Sequence, residues 1–341
     1  MAVSPYLLVG ELLCFFVALS ANSLLLYLIK TRAGSSFGRY RIMMISFSLY
    51  AIFYTTVETL TLPVMHIHGS GILFYVNSVL KYYKTAGIFV STIYCGSFAF
   101  CISMLTTHFI FRYIAVCRNN KLYYFEGYKI YLWFIPPCIL FAGWGTAIYL
   151  CFGPSQVNLD YFREMTMEIY EENIDDIAFL APVYYLRRED GTIQFHLKDF
   201  FGAFLICNIM SICFTTCIVC AYKTYKKLND LSTQMSNRTR ALNKQLFWTL
   251  GLQTLLPCFT QYMPVGLLFV LPMFEIEVGK VGNVVGVTCC LYPAMDPLIA
   301  IFMIERFRNC VLRKGERSRS KSSKVGVSVM NSDGHSSAGI H

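Results

Sequence analysis

Thr85-Ala-Gly-Ile-Phe-Val-Ser-Thr-Ile-Tyr-Cys-Gly-Ser-Phe-Ala-Phe-Cys-Ile-Ser-Met-Leu-Thr-Thr-His-Phe-Ile-Phe111 contains no Asp, Glu, Lys or Arg. An α-helix rises about 1.5 Å per residue, so roughly 20 apolar residues cross the hydrocarbon core of a bilayer. This stretch is long enough to span. A buried core helix of a soluble domain is the plain alternative, but a soluble domain has no need of the same pattern many times over. Here it occurs seven times, at residues 5–29, 42–65, 85–111, 130–152, 200–222, 246–271 and 281–304. Composition agrees: 55% of the 341 residues are hydrophobic and 14% charged, against about a quarter charged in ordinary soluble domains. The expected fold is an all-α membrane protein, a seven-transmembrane helix bundle. The first stretch lacks a basic leader and is too long for a signal-peptide core, so no cleavage is expected.

Lysine and arginine set the direction, because cytoplasmic loops retain them in excess. Alternate segments hold Lys30, Arg32, Arg39 and Arg41, then Arg112, Arg118, Lys121 and Lys129. The next hold Lys223, Lys226, Lys227, Arg238, Arg240 and Lys244, and then eight more in the C-terminal segment. The opposite side holds Lys81, Lys84, Arg163, Arg187, Arg188, Lys198 and Lys280. The C-terminus therefore belongs inside and, with seven crossings, the N-terminus is extracellular.

The fourteen cysteines do not read as a disulfide scaffold, since most sit in apolar stretches where a thiol behaves as a small hydrophobe. Cys217 and Cys220 form a lone CxxC without a second pair or nearby histidines, so no metal or other cofactor is expected. The second outer loop, 153–199, carries ten acidic residues and four basic ones. Its residues 160–173 have helical spacing. Val183-Tyr-Tyr-Leu186 and Thr192-Ile-Gln-Phe-His196 flank Asp190-Gly191, which predicts a β-hairpin. A loop this long is usually functional, and a lid over an outer cavity is one reading; a solvated loop is the other. Residues 1–304 are expected to form the seven-transmembrane domain. Residues 305–314 suit an interfacial helix with Phe307 and Val311 facing lipid and Cys310 open to palmitoylation. Residues 315–341 read as a disordered cytoplasmic tail. Its Arg317-Ser-Arg-Ser-Lys-Ser-Ser323 run suits basic-directed kinases.

Polar groups within spans are costly, about 2.5 to 3.5 kcal/mol for an ion at mid-helix, so they face partners or wet cavities. Glu58 lies in the outer third of the second span, where it either meets a ligand or is a structural carboxyl. Asn22 and Asp296 lie at similar depth in the first and seventh spans, which a ring of helices makes neighbours. His108 and Arg112 share one face of the third span; Arg112 is placed to point into the inner vestibule, and His108 by itself is more simply a packing residue. Pro63, Pro136, Pro137, Pro257, Pro264, Pro293 and Pro297 interrupt four spans, as breaks that mark cavities or hinges do. Gly282-Asn-Val-Val-Gly286 has the spacing for close helix approach.

Several ordered stretches resemble one family. They are Arg238-Thr-Arg-Ala-Leu-Asn-Lys-Gln-Leu-Phe247 with Leu252-Gln-Thr-Leu-Leu-Pro257, and Leu291-Tyr-Pro-Ala-Met-Asp-Pro-Leu298. Val183-Tyr-Tyr185 and His108-Phe-Ile-Phe-Arg-Tyr113 accompany them. Together they resemble the nematode seven-transmembrane chemoreceptors of the Str class, over about Tyr6 to Arg313. The resemblance implies a G-protein-coupled odorant or pheromone receptor in the plasma membrane of sensory cilia. Likeness to rhodopsin-like receptors is looser: Phe111-Arg112-Tyr113 lacks the acid of their Asp-Arg-Tyr, and residues 153–199 hold no cysteine for their outer disulfide.

On that reading a small, mostly apolar ligand enters between the outer halves of the second, third, fifth, sixth and seventh spans. Depth counting puts Glu58, Tyr94, Ser97, Phe98, Asn208, Gln261, Tyr262 and Thr288 at its level. Switch or G-protein contacts fall to Asn22, His108, Arg112, Tyr113, Arg238, Arg240, Lys244, Asp296 and Arg306. The partners are then a heterotrimeric G protein, membrane lipid, and a kinase and arrestin at the tail, with no nucleic acid. A ligand-gated ion channel of the insect-receptor type would place its N-terminus inside, and a small-solute transporter usually shows internal repeats, which are absent here. No HExxH, Gly-x-Ser-x-Gly or P-loop suggests an enzyme.

The topology predicts that the Asn237-Arg-Thr sequon, on the inner side, carries no glycan. Peptide N-glycosidase is expected to leave the mobility of the protein unchanged; a shift abolished by Asn237→Gln would reverse the orientation.

Overall fold

The computed structural model describes residues 5–34, 37–188, 190–230 and 237–312. The chain opens with α1 (Pro5–Arg32) and α2 (Tyr40–Thr61), then an antiparallel hairpin of β1 (Pro63–His68) and β2 (Gly71–Val76), then α3 (Lys84–Cys117). A 3-10 segment, Asn119–Phe125, leads to α4 (Lys129–Leu132) and α5 (Ile135–Phe152). The second outer loop holds α6 (Gln156–Tyr170), β3 (Phe179–Leu180), β4 (Tyr185–Arg187) and β5 (Ile193–Phe195). There follow α7 (Leu197–Asp230), α8 (Asn237–Pro257), a π-helical turn Cys258–Tyr262, α9 (Met263–Val270), α10 (Asn283–Met303) and α11 (Glu305–Val311).

Among the described residues, seven helical segments are long and apolar enough to cross a membrane. They match the seven stretches read from sequence. Several run on past the apolar limit, α3 to Cys117 and α7 to Asp230, because a helix continues into water wherever side chains permit while hydropathy marks only the hydrocarbon. Outward faces carry exposed Leu13, Phe16, Phe53, Phe89, Leu150, Phe204 and Phe302, the surface expected of a bundle solvated by lipid.

The second span is shorter than its apolar run. Its helix stops at Thr61, with Leu62 in the left-handed region (φ 44°) ahead of Pro63. Proline crowds the α conformation of the residue before it, so the chain leaves the helix, and residues 63–65 join a strand instead. Pro63 thus begins β1 rather than kinking a span. Pro136 and Pro137 open α5, Pro257 ends α8 at the π-helical turn, Pro264 lies in the first turn of α9, and Pro293 and Pro297 sit inside α10.

The outer loops build a roof. β2 pairs with β1 and with β3, giving a three-stranded antiparallel sheet in the order β1-β2-β3. Alternation does the rest. Val64, Leu73 and Tyr75 face outward into a cluster with Phe162, Met165 and Tyr170 of α6. Met65, Ile72 and Phe74 face the bundle. The expected hairpin is present as β4–β5, turning at Gly191 with φ 80°. The expected loop helix is α6, begun by Ser155, whose side chain caps Asn158 N.

Polar contacts sew the roof to the helices. The Met65 amide donates to Asn283 Oδ1 (2.9 Å) and the Val183 amide to Asp199 Oδ2 (3.0 Å), while Lys81 pairs with Glu172 between the two outer loops. Gly282 sits so close that an added Cβ would meet the Met65 carbonyl at 2.6 Å, and Gly286 has Pro63 O at 3.2 Å. The GxxxG spacing therefore serves close packing. All fourteen cysteines are free; strand pairing and the Lys81–Glu172 pair join the loops instead.

At the inner end, α11 corrects one expectation. Phe307 is fully buried and stacks on Phe37 at 5.7 Å, so it faces the bundle and only Val311, 39% exposed, faces outward. A helix of this length presents one face to lipid, and the Phe37 ring supplies the better partner for the other. Cys310 is partly buried against the same inner cluster. The tail run Arg317–Ser323 and residues 315–341 lie outside the described residues.

Phe162 is wholly buried in the outer cluster. Phe162→Ala is expected to cost the roof about 3 to 5 kcal/mol, as aromatic truncations in cores do. Limited proteolysis from outside should then cut within residues 153–199 faster, with the spans intact; an unchanged cutting rate would show that the cluster does not hold the roof.

Candidate functional site

Beneath the sheet lies a cavity of about 70 Å3 with almost wholly apolar walls. Met65, Ile72, Phe74, Leu180 and Pro182 form its ceiling. Tyr94, Cys95 and Phe98 of α3 line one side, Trp144, Ile148 and Phe152 of α5 another, and Val265, Leu268 and Phe269 of α9 a third. Each helix contributes residues at spacings of three or four, which fall on a single face. Among the described residues no charged side chain lines the cavity, so it suits an uncharged apolar guest.

One polar group connects this space with the membrane interior. Tyr94 lines the cavity, and its hydroxyl donates to Glu58 Oε1 at 3.3 Å. Glu58 is 3% exposed, and its Oε2 has no partner among the described residues. The Tyr54 ring lies 5.7 Å from that of Tyr94, and its hydroxyl accepts from Gln261 Nε2 at 3.0 Å. The same Nε2 reaches the Cys289 carbonyl at 3.4 Å. Four spans thus meet in one buried polar cluster, on α2, α3, the π-helical turn and α10. Gln261 stands where the π-helical turn adds a residue to the helix, a local feature that recurs at functional sites.

A second cluster lies deeper. Asn22 Nδ2 donates to the Ala18 carbonyl (2.9 Å) and across to the Pro293 carbonyl (3.0 Å). Pro297, one turn on, has no N–H, so the carbonyl of Pro293 is free to take this bond. Asp296 Oδ2 accepts from Gln253 Nε2 of α8 at 3.0 Å. Asn22 and Asp296 therefore bind neighbouring spans rather than each other. Asn22 Oδ1 and Asp296 Oδ1 are buried without partners among the described residues.

The inner end holds a covered cation. Arg112 is 4% exposed, and its guanidinium lies 3.8 Å from the centre of the Tyr40 ring. Among the described residues, Nε and Nη2 of Arg112 have no hydrogen-bond partner. His108 packs on Phe47 and Tyr40 at 5.2 and 5.8 Å. Arg112 therefore does not point into an open vestibule, as its place one turn below His108 suggested. Tyr40 of α2 covers it. Tyr113 is partly buried, with Lys223 Nζ 5.8 Å from its ring centre. Arg240 and Lys244 are exposed on the first turns of α8, Arg306 lies 5.9 Å from the Phe37 ring, and the side chain of Arg238 is outside the described residues.

Depth counting orders these residues along the spans but does not give the direction each one faces. Tyr94 and Phe98 line the cavity, while Glu58 and Gln261 lie in the polar cluster beside it. Ser97 turns back to the Ile93 carbonyl of its own helix (2.9 Å), and its own carbonyl takes the Tyr50 hydroxyl (2.5 Å). Tyr262 packs edge-on against Phe214 at 5.2 Å and lies outside the cavity lining. Asn208 is exposed on the outside of the bundle and bonds the Phe204 carbonyl, and Thr288 bonds the Val285 carbonyl. Neither reaches the cavity. The cavity is walled by the third, fourth and sixth spans and the outer loops, and among the described residues the second, fifth and seventh spans contribute nothing to its lining. Two signals carry the missing walls: Trp144, Ile148 and Phe152 recur every four residues, and two β-rich runs flank Gly69-Ser-Gly71 as a hairpin does.

Comparisons with known proteins agree with this architecture. A family profile described as serpentine type 7TM GPCR chemoreceptor Str matches residues 9–312. The chain is similar to serpentine receptor class r-10 of Caenorhabditis elegans, with 32% identity covering 89% of this chain and 88% of the relative. The Caenorhabditis briggsae protein of the same name shares 31%, covering 89% of each chain. G-protein coupled receptor str-33 of C. elegans shares 26%, covering 86% of each. The seven spans and these matches together make the chain a member of the Str family of serpentine chemoreceptors, a G-protein-coupled chemosensory receptor.

Proposed function

We propose that the roofed cavity is the ligand site and that it takes a small, uncharged, mostly apolar odorant or pheromone. The observation that carries this is the apolar lining around Tyr94, Phe98 and Trp144, with a single polar relay from Tyr94 to Glu58. A ligand of about six heavy atoms gains at most ~9 kcal/mol at 1.5 per atom, so affinity no tighter than roughly micromolar is expected. Such a ligand activates only by binding the active arrangement more tightly.

The relay gives it a means to do so. A guest that shifts Tyr94 acts on Glu58 and Tyr54, and through Gln261 on the sixth and seventh spans at the π-helical turn. In low dielectric, partly satisfied polar clusters favour discrete arrangements over gradual ones. Deeper down, the Gln253–Asp296 bond joins the same two spans. At the inner face, the response exposes Arg112 from beneath Tyr40, where Tyr113, Arg238, Arg240, Lys244 and Arg306 complete a basic surface for a heterotrimeric G protein. Asn22 and His108 brace that inner arrangement. Family membership supports action in the plasma membrane of sensory cilia. The Ser-rich basic tail suits a kinase and arrestin, and residues 305–314 an interfacial anchor with Cys310 as a palmitoylation site.

A panel of volatiles applied to cells expressing the receptor, read by a calcium or cyclic-nucleotide reporter, tests the reading. Val265→Phe fills the cavity and is expected to raise the half-maximal concentration of any active compound at least about tenfold, ~1.4 kcal/mol. Asn208→Ala, on the outside of the bundle, should leave it unchanged. The reverse pattern would move the ligand site to the fifth span. Arg112→Ala is expected to retain surface expression and lose most ligand-evoked signalling; full signalling by that variant would remove Arg112 from the coupling surface.

A further inference from the structure

Access to the cavity from water is closed by two layers, the β1–β2–β3 sheet and α6 upon it. Hydrogen bonds hold the roof at its edges: Ile72 N to Pro182 O (3.0 Å), Ala181 N to Phe152 O (2.8 Å) and Tyr184 Oη to Phe269 O (3.0 Å). Lifting it would leave these groups unpaired in an apolar setting, which is the costly case.

The wall toward the fifth and sixth spans is different. There the cavity is bounded by α9, which contributes Val265, Leu268 and Phe269. The other face of this eight-residue helix, with Met263, Gly266 and Leu267, lines a groove of about 490 Å3 that it shares with α7 and that opens on the membrane side. The wall is one helix thick. Among the described residues no hydrogen bond joins α7 to α9, and the ring contact across the seam is the Phe214–Tyr262 edge-on pair at 5.2 Å. α9 also begins at a weak point. Pro257 and the π-helical turn precede it, and Pro264 in its first turn lacks an N–H to bond back. An added Cβ at Gly266 would meet nothing within 4 Å.

We propose that the seam between α7 and α9 is a lateral portal, through which an uncharged apolar ligand dissolved in the bilayer reaches the cavity. The proposal rests on the reading of the cavity as the ligand site. A guest suited to those walls leaves water for hydrocarbon on its own account, so it gathers in the bilayer that wets the groove. From there it has only side chains of α7 and α9 along the seam to displace, whereas the outer route breaks the bonds of the roof.

Stopped-flow quenching of Trp144, which lines the cavity, tests this with a short-chain bromoalkane as probe. The receptor is reconstituted in phosphatidylcholine vesicles with Trp133→Phe and Trp248→Phe, leaving Trp144 the single tryptophan of three. In that background, Gly266→Phe and Met263→Phe, each measured alone, are expected to slow quenching about tenfold, ~1.4 kcal/mol on the entry barrier, with the final extent unchanged. Gly143→Phe adds the same bulk to a lipid-facing position on α5 that is equally open and should leave the rate unaltered. If one groove variant does not fold, the other decides. Wild-type rates in the groove variants would overturn the portal and leave the ligand site standing. Absence of any Trp144 quenching in the parent would overturn both.

Discussion

A peptide group in hydrocarbon has no water to bond, and every other feature of this receptor follows from how the chain meets that demand. Seven segments meet it as helices. At Pro63 the second helix ends while the chain is still apolar, and the freed amides must find partners elsewhere. They find them in β2, which pairs in turn with β3 of the next outer loop, and in Asn283 at the head of α10. The roof over the cavity is thus the continuation of the same backbone accounting by other means. It also does what a disulfide between the third span and the long loop does in rhodopsin-like receptors, with strand pairing and the Lys81–Glu172 pair in its place.

Beneath the roof, apolar and polar zones are separated by one side chain. Tyr94 presents its ring to the cavity and its hydroxyl to Glu58. Burial makes each imperfect hydrogen bond expensive, so a small displacement of the ring is felt by groups on three other helices. The orphan oxygens of Glu58, Asn22 and Asp296 and the orphan nitrogens of Arg112 lie along the route from the cavity to the inner face. Buried polar groups left short of partners in one arrangement are groups that gain by another. A receptor that must exist in two states has a use for such groups, and a static anchor does not.

Much of this was legible in the residues. The bilayer turns structure into a one-dimensional signal, in which apolar length reports crossings and basic residues report sides; hence seven spans and their direction were plain. Asp190-Gly191 gave away the hairpin because its turn chemistry is local. The first-loop sheet was hidden because residues 63–65 extend the apolar run of the second span, and length alone does not distinguish a strand from the last turn of a helix. Phe307 reads from sequence as lipid-facing because a sequence shows that a helix is amphipathic, not that Phe37 waits on its other side.

What the sequence by itself determined was depth: the level of Glu58, Tyr94, Gln261, Asn22, Arg112 and Asp296 in the membrane. Rotation about each helix axis was decided only in the tertiary structure. Asn208 and Thr288 share that outer level, yet one faces outward and the other bonds its own helix, because helix orientation is set by packing against neighbours far away in the chain. The cavity is of the same kind. Its walls come from α3, α5, α9 and two outer loops, and no stretch of the chain contains more than a part of them.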